Sequence, residues 1–321
     1  MKVINIQHPH SYKKHDFPPL AAALGFFDGV HKGHKKVIMA AKRAADEHGI
    51  KSAVMTFDPH PSVVLSQEAG SVNYITPLED KIKYISELGI DYMLIIRFTS
   101  AFANLLPEQF VQTYLVDLNV RYVSAGFDFT YGKFGKGKVS TISEHSQGTL
   151  QVMTVPKLEK DGEKVSSTLI RELLAEGRVH EVSSLLGRFY TTNGTVIHGE
   201  KRGRLLGFPT ANVHLGHDYI VPKKGVYAVR LLVNQQWENG VCNVGYKPTF
   251  HDPEKVEMSV EVHLMDFDRS IYGEKVIIEW HLRIRDEQKF NGLDQLKEQI
   301  LKDKETSLKY FQRDIKLLDF S

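Results

Sequence analysis

Two histidines three positions apart, His31 and His34, stand in the segment Gly25-Phe26-Phe27-Asp28-Gly29-Val30-His31-Lys32-Gly33-His34. Imidazoles at this spacing share one face of a helical turn, and their ring nitrogens can donate to phosphate oxygens. The segment joins an apolar run at residues 21–27 to a helical pattern at residues 35–48. A helix N-terminus carries unpaired N–H groups and a partial positive charge, so an anion belongs there. Gly29 and Gly33 permit close approach of backbone to ligand. A solvated turn or a pair of metal ligands would use the same residues, although no third ligand is near in sequence.

A second constellation lies far downstream, at Ser166-Ser167-Thr168-Leu169-Ile170-Arg171. Ser166 and Ser167 are N-cap candidates for a helix whose apolar side is Leu169, Ile170, Leu173 and Leu174. Arg171 follows Ser167 by four residues and Thr168 by three, so hydroxyls and a guanidinium fork can address one phosphate group. Taken alone, it is equally a well-capped helix with an exposed arginine. Thr56-Phe57-Asp58-Pro59-His60-Pro61 and Gly126-Phe127-Asp128-Phe129-Thr130-Tyr131-Gly132 each follow an apolar run, as pocket loops and simple turns both do. Residues 132–138 match the start of a phosphate-binding P-loop. Val139 stands where Ser or Thr must hold magnesium, and no good helix follows, which excludes that motif.

In the C-terminal part, Gly199, Gly203 and Gly207 alternate with Lys201, Arg202 and Arg204. That composition suits a loop over phosphates, or a surface hairpin. Gly207-Phe208-Pro209-Thr210-Ala211-Asn212 follows directly. Glu261 falls in the alternating run 257–265, where an outward-facing glutamate is common.

These residues need elements to position them. Strand-like runs at residues 21–27, 52–57, 92–98 and 121–125 alternate with helical patterns at 35–48, 78–88 and 107–118, which predicts a parallel sheet with right-handed crossovers. A helical pattern spans 167–186. After Gly187 the chain turns β-rich, with runs at 190–198, 226–233, 237–244, 257–265 and 275–284 and short turn-rich gaps, which favours an antiparallel sheet or barrel. A helix at about 293–318 closes the chain. The expected domains are residues 1–185 and 186–321.

The bulk numbers narrow the class. The chain has 321 residues, enough for two cores, with 42% hydrophobic and 25% charged residues. The 41 basic and 39 acidic side chains nearly balance, so charge lends no support to nucleic-acid binding. The single cysteine, Cys242, excludes an intrachain disulfide. No signal peptide or membrane-length apolar run is seen, and a cytoplasmic protein is expected.

The G-x-F-D-G-x-H-x-G-H segment resembles the nucleotidyltransferase superfamily, and its Phe-Asp-Gly-Val-His form resembles bacterial FAD synthetases. Ser166 to Arg171 resembles the S-S-T-x-x-R motif of adenylyltransferases. Gly207 to Asn212 is similar to the riboflavin kinase motif G-F-P-T-A-N without a mismatch. Residues 222–228, 243–250, 259–263 and 283–290 resemble further segments of that family.

Taken together, the chain resembles bifunctional riboflavin kinase/FAD synthetases, in their domain order, from about Gly25 onward. The resemblance implies a Rossmann-like α/β nucleotidyltransferase domain followed by a mainly antiparallel β-barrel kinase domain with a C-terminal helix. It implies riboflavin phosphorylation to FMN, then adenylylation to FAD with loss of pyrophosphate. ATP is the co-substrate, Mg2+ the cofactor, and FMN and FAD the product ligands. By the same resemblance, Gly25, Phe27, Asp28, His31, His34, Ser166, Ser167, Thr168 and Arg171 serve ATP in adenylyl transfer. Phe57, Asp58 and Asp128 face the flavin. Gly199, Gly203, Gly207, Pro209, Thr210 and Asn212 serve the kinase's ATP, with Thr210 and Asn212 on the metal and Glu261 as general base. His31, His34, Arg171 and Glu261 are the expected catalytic residues. The partners expected are small molecules, with no membrane and no stated oligomeric state. The alternative is a flavin-binding regulator that has lost turnover.

Overall fold

The computed structural model describes residues 1–65, 72–199, 207–248 and 256–313. The chain forms two compact units, Met1–Ser167 and Thr168–Ser321.

The first unit is built on six strands: β1 (Lys2–Gln7), β2 (Leu20–Leu24), β3 (Lys51–Asp58), β4 (Tyr92–Arg97), β5 (Val120–Gly126) and β6 (Gln151–Val155). They form one sheet in the order β1-β4-β3-β2-β5-β6, and every pairing is parallel. The interior strands read as unbroken apolar runs because both faces are covered; β2 is buried along its whole length. Helix α1 (Lys32–Glu47) packs on the sheet through Val37, Ile38, Ala41, Ala44 and Ala45. Helix α2 (Leu78–Ser86) buries Lys81 and Ile85.

From β2 the chain steps outward through β3 and β4, then returns across the sheet to β5 on the other side of β2. The end of β2, beside β5, is therefore the topological switch point, where an open parallel sheet leaves a crevice for a ligand. The residues 25–34 loop begins there.

Two details differ from expectation. The residues 107–118 helix is α-helical only over Pro107–Phe110 and widens to a π-helix over Val111–Val116, which keeps Val111, Tyr114 and Leu115 all buried. Strands β1 and β6 were not expected; they are the two edge strands of the sheet, with one buried residue between them, so their alternation is faint.

In the second unit, the pattern at 167–186 is two helices, α3 (Ser167–Glu176) and α4 (Val179–Leu186). Six strands follow: β7 (Tyr190–Ile197), β8 (Thr210–Leu215), β9 (Gly225–Val233), β10 (Gln236–Pro248), β11 (Val256–Leu264) and β12 (Lys275–Arg285). They close into an antiparallel barrel in the order β7-β8-β11-β10-β9-β12. Closure leaves no free edge, and Tyr227, Val229, Ile278 and Trp280 fill the interior.

Helix α5 (Leu293–Arg313) is tied to the barrel by charge. Arg285 Nε and Nη2 donate to the carboxylate of Asp303 at 2.9 and 2.8 Å, and Gln299 adds a third donor at 2.9 Å. Asp303 is 3% exposed, so removing it leaves a half-buried guanidinium unpaired. Asp303→Ala is expected to lower the stability of this unit by about 3–5 kcal/mol in urea unfolding; an unchanged midpoint would contradict this role.

Candidate active site

The first site is a turn under strain. Phe27 and Val30 have φ of 56° and 41°, in the left-handed region that non-glycine residues avoid. Both are buried, at 2% and 0% exposure, so packing holds them there. Strain of this kind costs on the order of 1–3 kcal/mol per residue and persists where the surroundings over-determine it. Gly25 makes the fold-back possible, because a Cβ there would lie 2.7 Å from the Phe27 ring.

Hydrogen bonds fix the turn from several sides. Thr56 Oγ1 donates to the Phe26 carbonyl at 2.9 Å, and Lys81 Nζ donates to the same oxygen at 2.8 Å. The Asp28 carboxylate accepts from the backbone N–H of Thr76 at 2.9 Å and of Ile75 at 3.3 Å. The Asp28 carbonyl accepts from Ser167 Oγ at 2.8 Å. Asp28 is thus a buried support of the turn, at 3% exposure.

His31 is the N-cap of α1: its Nδ1 accepts the His34 N–H at 3.1 Å. The helix therefore starts three residues earlier than the apolar periodicity alone indicates, and the histidines occupy its first turn. With Nδ1 accepting, a neutral His31 carries its proton on Nε2. The two rings stack at 3.5 Å between centroids, and Phe27 meets His34 edge-on at 5.3 Å. Stacked rings with one nitrogen engaged in a cap do not form a chelating pair. His34 Nδ1 is buried and makes no hydrogen bond. Burial first, then the neighbouring His31, Lys81 and Lys164, hold His34 well below its ordinary pKa of 6.5.

The remaining expected residues divide. Ser166 and Ser167 are partly buried, and Ser167 touches the histidine turn as described. Thr168 is exposed; Arg171 lies one turn along α3 and is partly buried. Both belong to the second compact unit. Phe57 and Asp58 end β3. Phe57 lines a cavity of about 450 Å³ with Pro61, Phe98, Phe102, Tyr131 and Gly132. Asp128 is exposed and pairs with Lys164 at 2.5 Å, while the same ammonium lies 4.9 Å from the Phe127 ring centroid.

In the barrel, register does what sequence spacing could not. Asn212 of β8 stands opposite Glu261 of β11, and Glu261 stands opposite Asn243 of β10. Three polar side chains therefore form one row across adjacent strands. Thr210 and His263 are the next pair on the same face. Ala211 and Val262 point the other way and are buried. Glu261 is thus outward, but within a polar row. A Cβ at Gly199 would overlap the Asn212 amide nitrogen, so a side chain there would displace that amide from its present position. The Pro209 carbonyl is 2.9 Å from His263 Nδ1, and Gly207 adopts φ of 84° beside them. Gly203 lies outside the described residues.

Several residues of this face carried no role in the sequence pattern. Asn243 was visible only as part of a matching segment; its partner across the strand was not. A cavity of about 370 Å³ opens beside Pro209 and Thr210, lined by Val196, Leu264, Phe267, Ile271 and Tyr272 among others. His198 stacks on Tyr272 at 4.1 Å.

The family model for FAD synthetase matches residues 13–169, and that for riboflavin kinase matches residues 186–311. The bifunctional riboflavin kinase/FMN adenylyltransferase of Bacillus subtilis is 50% identical over 97% of this chain and 98% of its own length. Its Listeria monocytogenes counterpart is 47% identical over 98% and 99%. The chain belongs to the bifunctional riboflavin kinase/FMN adenylyltransferase family. A solved structure of a macrolide-efflux protein from Streptococcus pneumoniae is 32% identical, covers 96% of this chain and 99% of that one, and superposes with a TM-score of 0.85. Among the described residues, no helix is long and apolar enough to cross a membrane.

The buried histidine gives a direct check. In the ligand-free protein, His34 is expected to stay neutral by NMR titration at pH 6, where an ordinary histidine is largely protonated. The unfolded chain takes up that proton first, so His34 weakens stability as pH falls below 6.5. A His34 titrating near 6.5 would contradict the described packing.

Proposed function

We infer that this chain phosphorylates riboflavin with ATP to give FMN, then transfers AMP from a second ATP to FMN, giving FAD and pyrophosphate. The observation that carries this is full-length: 50% identity over 97% of the chain, with both motif sets in place. We place the functional boundary at residues 185/186, between the ends of the two family matches. The buried single thiol of Cys242 suits a reducing cytoplasm.

In adenylyl transfer, a phosphate oxygen of FMN attacks the α-phosphorus of ATP while the bond to the bridging oxygen breaks and pyrophosphate departs. No covalent enzyme intermediate is needed, so the protein positions the reactants and stabilises the charge that develops. His31 donates through Nε2, and His34 lies beside it in the first turn of α1, whose amides add partial positive charge. Gly25, Phe27 and Asp28 shape and hold the turn. Ser166, Ser167, Thr168 and Arg171 supply further donors to the triphosphate. The aromatic-lined cavity beside Phe57 suits the flat flavin ring, and Asp58 and Asp128 are the polar residues proposed to face it.

In phosphorylation, a ribityl hydroxyl attacks the γ-phosphorus as Glu261 accepts its proton and ADP leaves. Gly199, Gly203, Gly207 and Pro209 hold the nucleotide's phosphate end. The cavity bounded by Phe267, Ile271 and Tyr272 takes its base, since aromatic and apolar walls suit a stacked purine. Thr210, Asn212 and Asn243 present neutral oxygen donors beside the Glu261 carboxylate, a set that fits a hard divalent cation such as Mg2+. When bound there with ATP, that ion neutralises phosphate charge; Thr210 and Asn212 would hold it.

The two activities should separate by variant. His31→Ala and Arg171→Ala are each expected to reduce pyrophosphate release from ATP and FMN by about 100-fold or more while FMN formation persists. Glu261→Gln should do the reverse, blocking FMN formation and sparing FAD formation from supplied FMN. Undiminished adenylylation in both N-terminal variants, or surviving kinase activity in Glu261→Gln, overturns the assignment.

A further inference from the structure

Lys81 is 2% exposed, among the largest fully buried side chains of the molecule. It sits on the first turn of α2, a helix that as a pattern is only amphipathic. Its Nζ donates to the Phe26 carbonyl at 2.8 Å and lies 3.9 Å from the Phe26 ring centroid. No carboxylate of the described residues is within ion-pair distance of it. Its charge is balanced at longer range by Asp28 and Asp58, and it acts in turn on His34. A lone buried ammonium is costly, and a leucine or methionine would fill the same volume without that cost.

The placement gives the charge a use. The stretch leading into α2 already holds the Asp28 carboxylate through the Ile75 and Thr76 amides. Lys81 adds a hold two residues earlier in the turn, at Phe26. The strained backbone of Phe27 and Val30 is therefore braced by one short segment, 75–81, and His31 follows directly on that braced backbone. The ammonium also stands close enough to the first turn of α1 to depress the His34 pKa, so it adds positive potential on the side where phosphate is expected. Burial lowers the Lys81 pKa to about 8, so the group is mostly charged at neutral pH.

We propose that Lys81 is a positioning residue for adenylyl transfer, bracing the Phe26 carbonyl so that the turn presents His31, and adding a buried positive charge beside that turn. This rests on the adenylyltransferase reading above and adds a residue that no motif in the sequence marks.

The test compares Lys81→Met and Lys81→Arg in the full chain, assayed well below each variant's melting temperature. Riboflavin phosphorylation by the same preparations serves as the folding control. Lys81→Met keeps the aliphatic volume but loses donor and charge; kcat for FAD formation is expected to fall about 100-fold with little change in KM for ATP. Lys81→Arg, which keeps both, should recover at least about tenfold of that loss. The proposal is overturned if Lys81→Met adenylylates like the unmodified protein, if its loss appears only as a lower melting temperature, or if Lys81→Arg is no better than Lys81→Met. Should the unmodified protein make FMN but no FAD, the adenylyltransferase reading itself fails, and this inference with it.

Discussion

The left-handed turn at Phe27–Val30 is the constraint on which the N-terminal site depends. An ordinary strand-to-helix connection would leave His31 in a flexible loop. Here two non-glycine residues are held at positive φ by buried packing and by hydrogen bonds to the Phe26 carbonyl and the Asp28 carboxylate and carbonyl. The strain is local; the restraint comes from β3, from residues 75–81 at the start of α2, and from Ser167. In return, the first residue after the turn is a histidine already committed as a helix cap, its ring orientation fixed by the bond that Nδ1 accepts from the His34 N–H. Preorganisation of this kind puts donors in place before substrate arrives, so little reorganisation is required during reaction.

The barrel solves the same problem by different means. Its site has no strained turn at the centre; it has register. Antiparallel pairing sets Asn212, Glu261 and Asn243 side by side because residues opposite one another share a face. A one-residue slip in β11 would turn Glu261 inward and Val262 outward, destroying the core and the polar row together. The buried side of these strands therefore fixes the register of the polar row on the other side.

Much of this was legible in the residues. The histidine pair, Ser166 to Arg171 and Gly207 to Asn212 are local motifs, and local motifs survive in a linear string. The alternation of strands and helices in the first half, then strands alone, marked out the two architectures. What was hidden is non-local. Strand β8 carries Thr210 and Asn212, yet with turn residues before it, it reads as loop until β11 pairs with it. Asn243 acquires its place only through the same pairing. The aromatic cavity gathers Phe57, Phe98, Phe102 and Tyr131 from three separate stretches. Lys81 looks like the polar side of an amphipathic helix, since nothing in its neighbours tells that Phe26, 55 residues earlier, will cover it. The start of α1 was displaced for a related reason: His31 is its own cap, and histidine is not among the usual capping residues.

In the proposed reaction, the turn and the first helical turn after it hold the triphosphate of ATP. A crystal structure with a non-hydrolysable ATP analogue tests this most directly. The account predicts a phosphate oxygen within about 2.7–3.2 Å of His31 Nε2, with the Phe27–Val30 backbone unchanged from the free protein. A triphosphate bound elsewhere in this unit, with the turn vacant or rearranged to ordinary backbone angles, would contradict it.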